Sequence, residues 1–353
     1  MQTQPPTRIM EHWIAQLVAA LPWWGLLILI VTAFYGLSRG ANMLVEEAVT
    51  LSVQWGMPKV LVGATIVSLG TTLPEAAVSV LAAMQGSPEL ALGNAVGSVI
   101  CDTGLILGLA ALITPLPLNR AIVNRQGWIQ LGAGFLLVVT CLPLPSFSTV
   151  FDTGGRLPQR AGAAFLILLV IYIWRSIAWS RGTNSDAVQE ESAHREAGTA
   201  TILCKLVGGI VLLIGASWLL IPAVREAALR LHIPPGIVAA TLVALGTSLP
   251  ELVTAVTAAL KRHGELAVGN VIGADILNVL FVAGTAAAVT QGGLNASAHF
   301  FRLLFPAMLL LLIVFRIGIM VSGTQLKRLV GGILIGIYLL VTILSYAYHP
   351  GTI

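Results

Sequence analysis

Residues 69–75 read LGTTLPE, and residues 245–251 read LGTSLPE. A second motif follows each copy, because residues 93–97 read GNAVG and residues 269–273 read GNVIG. One offset of 176 residues relates both pairs, and 19 of the 44 positions from 65 to 108 match their partners without a gap. The chain therefore contains an internal duplication, with a Glu directly after a Pro in each copy. The glycines four apart in each second motif predict helices that approach closely.

The composition is that of a polytopic membrane protein. Of the 353 residues, 57% are hydrophobic and 10% are charged, with a mean hydropathy of +0.91. Soluble domains carry about 25% charged residues. The sequence pI of about 9.2 does not indicate nucleic-acid binding, because Lys and Arg stand singly or in pairs between apolar runs. We therefore expect the lipid bilayer as the surroundings and no nucleic-acid partner.

Ten stretches of the chain reach the length of about 20 mostly apolar residues that a membrane-spanning helix needs. The predicted fold is an all-α integral membrane protein with ten transmembrane helices. The predicted spans are 22–45, 58–84, 88–113, 126–146, 160–179, 200–221, 234–260, 264–289, 299–320 and 327–348.

Charge and the duplication predict how these spans are arranged in the cell (inner or plasma) membrane. Twelve Lys and Arg residues fall on one predicted side and six on the other. The positive-inside rule therefore places the first side, with a polar loop at 180–199, in the cytoplasm and both termini outside. An offset of five spans reverses direction, so the copies form two inverted five-helix repeats. The first repeat covers 1–179, with its doubled segment at 58–113, and the second covers 200–353, with its doubled segment at 234–289.

Each copy predicts a polar break in a membrane helix. Pro lacks an N–H, so we expect a kink at Pro74 and at Pro250 that frees backbone carbonyls. Such groups persist at membrane depth only when they are buried in protein or line a polar cavity. A carboxylate in the same place usually marks a path for ions, which makes Glu75 and Glu251 the predicted functional centre. The hydroxyl residues beside these acids are Thr71, Thr72, Thr247 and Ser248.

The third and eighth predicted spans add further oxygen ligands. Ser98 and Asp102 are four residues apart and share a helix face, and Asn278 is the counterpart of Asp102. Asp275 lies three residues before Asn278 and could share its side. The cluster contains hard oxygens and no soft ligand, as Na⁺, Ca²⁺ or Mg²⁺ requires.

These motifs resemble the α-repeats of the cation/Ca²⁺ exchanger superfamily, the sodium/calcium exchangers and their relatives. The family signature is G-[ST]-[ST]-x-P-E followed by G-N-x-x-G-S, and the two copies cover about a quarter of this chain. The resemblance implies a secondary antiporter with alternating access, in which the first and sixth spans slide over the other eight. Together with Asp275, the ligand positions that it implies are Glu75, Glu251, Asp102, Asn278, Thr71, Thr72, Thr247, Ser248, Ser98, Ser68 and Ala244.

The chain departs from the family pattern at three places. Sodium/calcium exchangers similar to this chain often have Asn in the first repeat and Asp in the second, whereas here Asp102 and Asn278 are reversed. Ala274 stands where a Ser hydroxyl is expected. Val99 and Asp275 stand where the family usually has Asn. These changes bear directly on how many Na⁺ ions bind and on whether Na⁺ is the coupling ion.

Several functions are compatible with the residues. The first is exchange of Ca²⁺ for Na⁺ at the carboxylates, and the second is exchange of Ca²⁺, or another divalent cation, for H⁺ on the same fold. An intramembrane enzyme with Glu75 and Glu251 as an acid/base pair lacks any accompanying nucleophile, His-rich metal motif or phosphate loop. A passive channel predicts flux without coupling to a counter-ion. We expect no cofactor, with Ca²⁺ and Na⁺ (or H⁺) as transported ions, and the sequence does not indicate an oligomeric state.

Overall fold

The computed structural model describes residues 16–143, 149–180, 198–231 and 246–347, and these residues are mostly helical. The helices are α1 (Trp23–Gln54), α2 (Lys59–Thr71), α3 (Leu73–Met84), α4 (Pro88–Ile113), α5 (Arg120–Cys141), α6 (Val150–Thr153), α7 (Gln159–Ser180), α8 (Thr199–Arg230), α9 (Leu249–Leu260), α10 (Gly264–Val289), α11 (Phe300–Val321) and α12 (Arg328–Ala347). Two short antiparallel strand pairs join loops at the ends of the helices. They are β1 (Leu116–Pro117) with β4 (Gln325–Leu326), and β2 (Gly155–Leu157) with β3 (Leu294–Ala296).

The described helices are those of a membrane protein with several spans. Seven of them are long and apolar enough to cross a bilayer, namely α1, α4, α7, α8, α10, α11 and α12, and the bent pair α2–α3 makes an eighth if it is one span. Helix α5 has 22 residues but is more polar, and α9 has only 12. The residues before α9, 232–245, lie outside the described part of the chain. The count of ten spans therefore stays a prediction.

Several helices are longer than their predicted spans. Helix α1 continues to Gln54 and α8 to Arg230, with Pro222 inside the helix. At the end of α8, the Arg230 guanidinium donates hydrogen bonds to the Leu21 and Ala19 carbonyls, which precede α1, at 2.8 and 2.9 Å. Helix α5 starts six residues before the predicted span, where the Asn119 side chain accepts a hydrogen bond from a backbone N–H of the first turn.

Helix α10 is the centre of the fold. Its most apolar window is 94% buried inside the protein, against 22% for α12, so α10 is enclosed by protein and α12 lies at the periphery. Helices α2, α5 and α9 pack around α10. Helices α1 and α8 run along each other, and a Cβ added at Gly40 would lie 3.0 Å from the Gly209 carbonyl oxygen. Leu27, Val31 and Val211 are among the exposed apolar side chains of this pair, as expected for helices that face lipid.

Two glycines of the second copy bring α10 against the backbone of α2. A Cβ added at Gly269 would lie 2.2 Å from the Val60 carbonyl oxygen, and one at Gly273 would lie 2.4 Å from the Ala64 carbonyl oxygen. The predicted close approach is therefore confirmed for this pair. Within the described residues, a Cβ at Gly97 meets no atom within 4 Å. The prediction for the first pair of glycines, at 93 and 97, therefore stays open.

Candidate functional site

The two Pro-Glu motifs stand at helix starts, not inside continuous helices. Helices α2 and α3 are bent by 44° at the break between them, which confirms the kink predicted at Pro74. Pro74 and Pro250 lie in the first turns of α3 and α9, where the missing N–H has no intrahelical partner to lose. Glu75 and Glu251 follow in the same first turns, and each is only 1% exposed. Both acids are therefore held inside the protein at helix N-termini, which favour negative charge.

Each acid faces the hydroxyl pair of the other copy. The Thr72 hydroxyl donates a hydrogen bond to Glu251 Oε1 at 3.3 Å, and the Thr71 side chain also approaches this carboxyl. In the same way, the side chains of Thr247 and Ser248 approach the Glu75 carboxyl, although neither Glu75 oxygen reaches hydrogen-bond geometry with a described residue. The two carboxyl groups are close enough for their charges to interact directly. The doubled motifs therefore meet at one centre.

Asp102 and Asn278 join this centre from α4 and α10. Each residue begins a π-helical segment, Asp102–Ile106 in α4 and Asn278–Ala283 in α10. Single π turns are rare inside helices and are frequent at functional sites. The Asn278 amide donates a hydrogen bond to Asp102 Oδ2 at 3.1 Å. The charge of Asp102 acts on Glu75 and on Glu251, and the Ser248 hydroxyl lies beside it.

Many oxygens of this centre lack a protein partner. Among the described residues, none donates a hydrogen bond to either oxygen of Glu75, to Glu251 Oε2, to Asp102 Oδ1 or to Asn278 Oδ1, and the Ser248 hydroxyl is also unpaired. None of the ion pairs found in the described ranges involves these carboxylates. Burying ionised carboxylates without a partner is costly, so either a bound cation or protonation must offset their charge. The donor set of carboxylate, hydroxyl and amide oxygens fits a hard cation.

The acids of this centre come from four helices, with Glu75 on α3, Asp102 on α4, Glu251 on α9 and Asp275 on α10. Within the described ranges, no group of three His, Cys, Asp or Glu side chains is close enough to hold a metal ion.

Three further predicted ligand positions are Ser68, Ser98 and Ala244. Ser68 is fully buried and donates to the Thr65 carbonyl oxygen at 3.4 Å, and its hydroxyl lies against Gly273 of α10. Ser98 is buried one turn before Asp102. Ala244 lies outside the described residues.

Asp275 lies beside this centre but is held by other residues. It is 2% exposed, and its Oδ2 accepts hydrogen bonds from the Thr103 hydroxyl and from the Gln130 amide. Its charge acts on Asp102, whose Oδ2 is bonded to Asn278. Asp275 is therefore next to the Asp102 side of the cluster.

Asn94 makes contacts at this centre that the motifs did not predict. Its amide donates to Ser79 Oγ at 3.0 Å and to the Glu75 backbone carbonyl at 3.3 Å, and its Oδ1 lies 3.5 Å from the donating Thr247 hydroxyl. Asn94 therefore links the first turn of α3 to the loop before α9. Its counterpart Asn270 is fully buried, and neither polar atom of its side chain has a partner among the described residues. The repeated Asn in GNAVG and GNVIG was the signal that could have identified both positions.

Comparisons with known proteins agree with this geometry. Residues 25–178 and 201–347 match the family described as sodium/calcium exchanger protein. The inner membrane protein YrbG of Escherichia coli (strain K12) is 31% identical over 317 residues, which is 88% of this chain and 93% of YrbG. The sodium/calcium exchanger MaX1 of Methanosarcina acetivorans is 28% identical over 330 residues, 86% of this chain and 93% of MaX1.

A solved structure shares the fold. The sodium-calcium exchanger NCX_Mj superposes with a TM-score of 0.75 over 91% of this chain and 98% of its own, at 23% sequence identity. At this identity the likeness concerns the fold alone. The helices around the paired acids therefore follow an arrangement already known in a membrane exchanger.

Proposed function

Because the chain belongs to the sodium/calcium exchanger protein family, we propose that it is a secondary antiporter that exchanges Ca²⁺ for Na⁺ by alternating access. The family consists of cation exchangers, so the chain is a membrane transport protein and not an enzyme. The observation that carries the proposal is the cluster of buried oxygens without protein partners around Glu75, Glu251 and Asp102. The ions are cargo, and the proposal requires no resident cofactor.

In this proposal Ca²⁺ binds between Glu75 and Glu251. Thr71 and Thr247 contribute oxygens, with Thr72, Ser248, Ser68, Ser98 and Ala244 as the remaining ligand positions of the two doubled segments. Glu75, Glu251 and Asp102 carry three negative charges when ionised, which suits one divalent ion or several monovalent ions. Loading either set offsets the repulsion among the carboxylates, whereas an empty charged site is costly to enclose. This cost favours exchange over one-way transport.

We propose the ten-span topology of two inverted five-helix repeats for the same chain. The helix bounds support it, because α3 and α9 begin and end 176 residues apart, and α4 and α10 do the same. With twelve Lys and Arg residues on one side against six, the central loop is cytoplasmic and both termini are outside. This loop, 180–199, lies almost entirely outside the described residues.

The moving part in this proposal is the pair α1 and α8. Both helices have 32 residues, and they pack along each other through Gly40 and Gly209. Both carry many exposed apolar side chains, whereas α10 is enclosed. Two long, mostly apolar helices next to a tightly packed core can slide over that core. Movement of one group of helices against another is a common form of alternating access in transporters built from repeats.

A second candidate keeps the fold and replaces Na⁺ with H⁺. It is favoured by Ala274, which is fully buried and lacks the hydroxyl expected at this position for Na⁺ coordination. Adjacent buried carboxylates can also be discharged by protons. Both candidates use the same acids but differ in the gradient that drives uptake.

The deciding experiment measures Ca²⁺ uptake into proteoliposomes under separate Na⁺ and pH gradients, with the membrane potential clamped. We expect uptake driven by an outward Na⁺ gradient and abolished by Glu75→Gln. The matched control is Glu89→Gln, which removes an exposed carboxylate at the start of α4. Ca²⁺ uptake that does not depend on the Na⁺ gradient but does depend on the pH gradient would establish the candidate in which H⁺ is the coupling ion. Uptake that follows neither gradient would refute both.

A further inference from the structure

Helix α2 contains a π turn before it reaches the cation centre. The turn covers Gly63–Val67, and the Ser68 N–H that follows it bonds to the Gly63 carbonyl, five residues back. In a regular α-helix this N–H would bond to the carbonyl four residues back, which is that of Ala64. The π turn therefore leaves the Ala64 carbonyl without the bond from Ser68. Ala64 is fully buried, where an unpaired carbonyl is costly.

The missing bond is replaced by one from another helix. The hydroxyl of Tyr172, on α7, donates a hydrogen bond to the Ala64 carbonyl at 3.2 Å. Tyr172 is only 5% exposed, so this bond is made away from water. Helix α7 is otherwise largely peripheral, with 28% of its most apolar window buried inside the protein. A buried phenol on a peripheral helix is thus bonded to the backbone of a helix that forms the cation centre.

Two further side chains hold the Tyr172 hydroxyl in place. The Ser176 side chain, one turn along α7, approaches this hydroxyl, and the Gln126 amide of α5 donates to the Ser176 hydroxyl at 3.3 Å. Ser176 and Gln126 are both fully buried. Because a hydroxyl both accepts and donates, the chain of donors runs in one direction from the α5 amide to the α2 carbonyl. Hydrogen bonds in such a chain polarise and strengthen one another.

The π turn determines the direction in which the next residues of α2 point. Because a π turn contains one extra residue, it rotates every later side chain by about 100° relative to an uninterrupted α-helix. Thr71 lies at the end of α2 and Thr72 directly after it, and both side chains approach the Glu251 carboxyl. Without the π turn, these two hydroxyls would point away from this acid.

We infer that Tyr172 is a positioning residue of the cation centre, because its hydroxyl stabilises the π turn that directs Thr71 and Thr72 toward the acid of α9. In Tyr172→Phe the Ala64 carbonyl loses this bond. The pairing of a regular α-helix, which satisfies the carbonyl, then becomes more favourable and turns the two hydroxyls away. The inference rests on the proposed function, because both hydroxyls are among its Ca²⁺ ligand positions.

The test measures initial rates of uptake into proteoliposomes over a range of Ca²⁺ concentrations for the wild-type protein and Tyr172→Phe. Losing one buried hydrogen bond corresponds to about a three- to tenfold change in an equilibrium constant. We therefore expect the KM for Ca²⁺ to rise by about three- to tenfold and kcat to change less than KM. The matched control is Tyr35→Phe, which removes the hydroxyl of an exposed tyrosine on α1 and should leave KM unchanged.

A double variant separates positioning from a general loss of stability. Thr72→Val removes one of the hydroxyls that Tyr172 positions, so the two changes affect the same interaction with the ion. When they are combined, KM should rise by clearly less than the product of the two single effects, because coupled residues are not additive. Ser176→Ala removes a side chain that supports the Tyr172 hydroxyl and should raise KM by a smaller factor. If Tyr172→Phe does not fold, Ser176→Ala alone and with Thr72→Val provides the same test.

The possible results distinguish the inference from the proposed function. An unchanged KM in folded Tyr172→Phe would overturn the positioning role, even if the variant unfolds at a lower temperature. Single effects that multiply in the double variant would also overturn it. A wild-type protein that takes up no Ca²⁺ under a Na⁺ or pH gradient, or a Glu75→Gln variant with normal uptake, would overturn the proposed function instead.

Discussion

Replacing Gly273 with Ala tests whether contact between the backbones of α2 and α10 holds the cation centre in place. An added Cβ would lie 2.4 Å from the Ala64 carbonyl oxygen, 2.5 Å from the Ala64 Cα and 2.5 Å from the Ser68 hydroxyl. Ordinary contacts begin at 3.4 Å, so α2 must move away by about 1 Å. Two of the three atoms belong to the backbone, and rotation of a side chain cannot relieve the overlap.

The overlap affects both stability and ion binding. Overpacking of this kind costs about 1–3 kcal/mol of stability. The same displacement moves Thr71 at the end of α2 and Thr72 directly after it, and both face Glu251. The hydrogen bond from Thr72 to Glu251 is already 3.3 Å long and does not survive a further 1 Å. A hydrogen bond to a charged group contributes about 1.5–3 kcal/mol, so Ca²⁺ affinity should fall by about tenfold or more.

The assay combines thermal unfolding, followed by tryptophan fluorescence, with initial rates of Ca²⁺ uptake into proteoliposomes. Gly132→Ala is the matched control, because Gly132 is exposed on α5 and a Cβ there meets no described atom within 4 Å. We expect Gly273→Ala to unfold earlier and to require higher Ca²⁺ concentrations, and Gly132→Ala to behave as wild type. If both variants match the wild-type protein, the close packing of α2 on α10 does not position the site.

Three further sets of substitutions test the centre itself. Glu75→Gln and Glu251→Gln should each reduce Ca²⁺ uptake to that of empty vesicles, while thermal unfolding stays cooperative. Near-normal Ca²⁺ flux in either variant would contradict the assignment of the paired acids as Ca²⁺ ligands. Thr72→Val removes the hydroxyl that donates to Glu251 and should raise the KM for Ca²⁺ by about tenfold, the effect of losing one charged hydrogen bond; an unchanged KM would show that the hydroxyl is dispensable. Asp102→Asn should impair Na⁺-driven uptake more than Ca²⁺ binding. Combining it with Asn278→Asp should restore uptake if the two positions are equivalent. Continued inactivity of the double variant would show that the charge is required on α4.

Local sequence patterns predicted the positions of the helices and of the acids beside the helix breaks, because both depend on short stretches of chain. Apolar runs predicted α4 and α10 with the bounds that the structure has, Pro88–Ile113 and Gly264–Val289. The Pro before Glu75 predicted the bend between α2 and α3, since a missing N–H acts on its own turn. The polar ends of α1, α5 and α8 were missed because hydropathy alone does not register capping and contacts between helices.

By itself the sequence determined that this is a membrane protein with a duplicated Pro-Glu motif, because hydropathy and the constant offset of 176 residues are properties of the chain alone. Only the tertiary structure decided which groups meet. The Thr72 hydroxyl bonds to Glu251, 179 residues away, and Gln130 reaches Asp275 from a helix outside both motifs. Such contacts arise where helices cross, and the crossing depends on the packing of α10 against its neighbours, which no local pattern encodes.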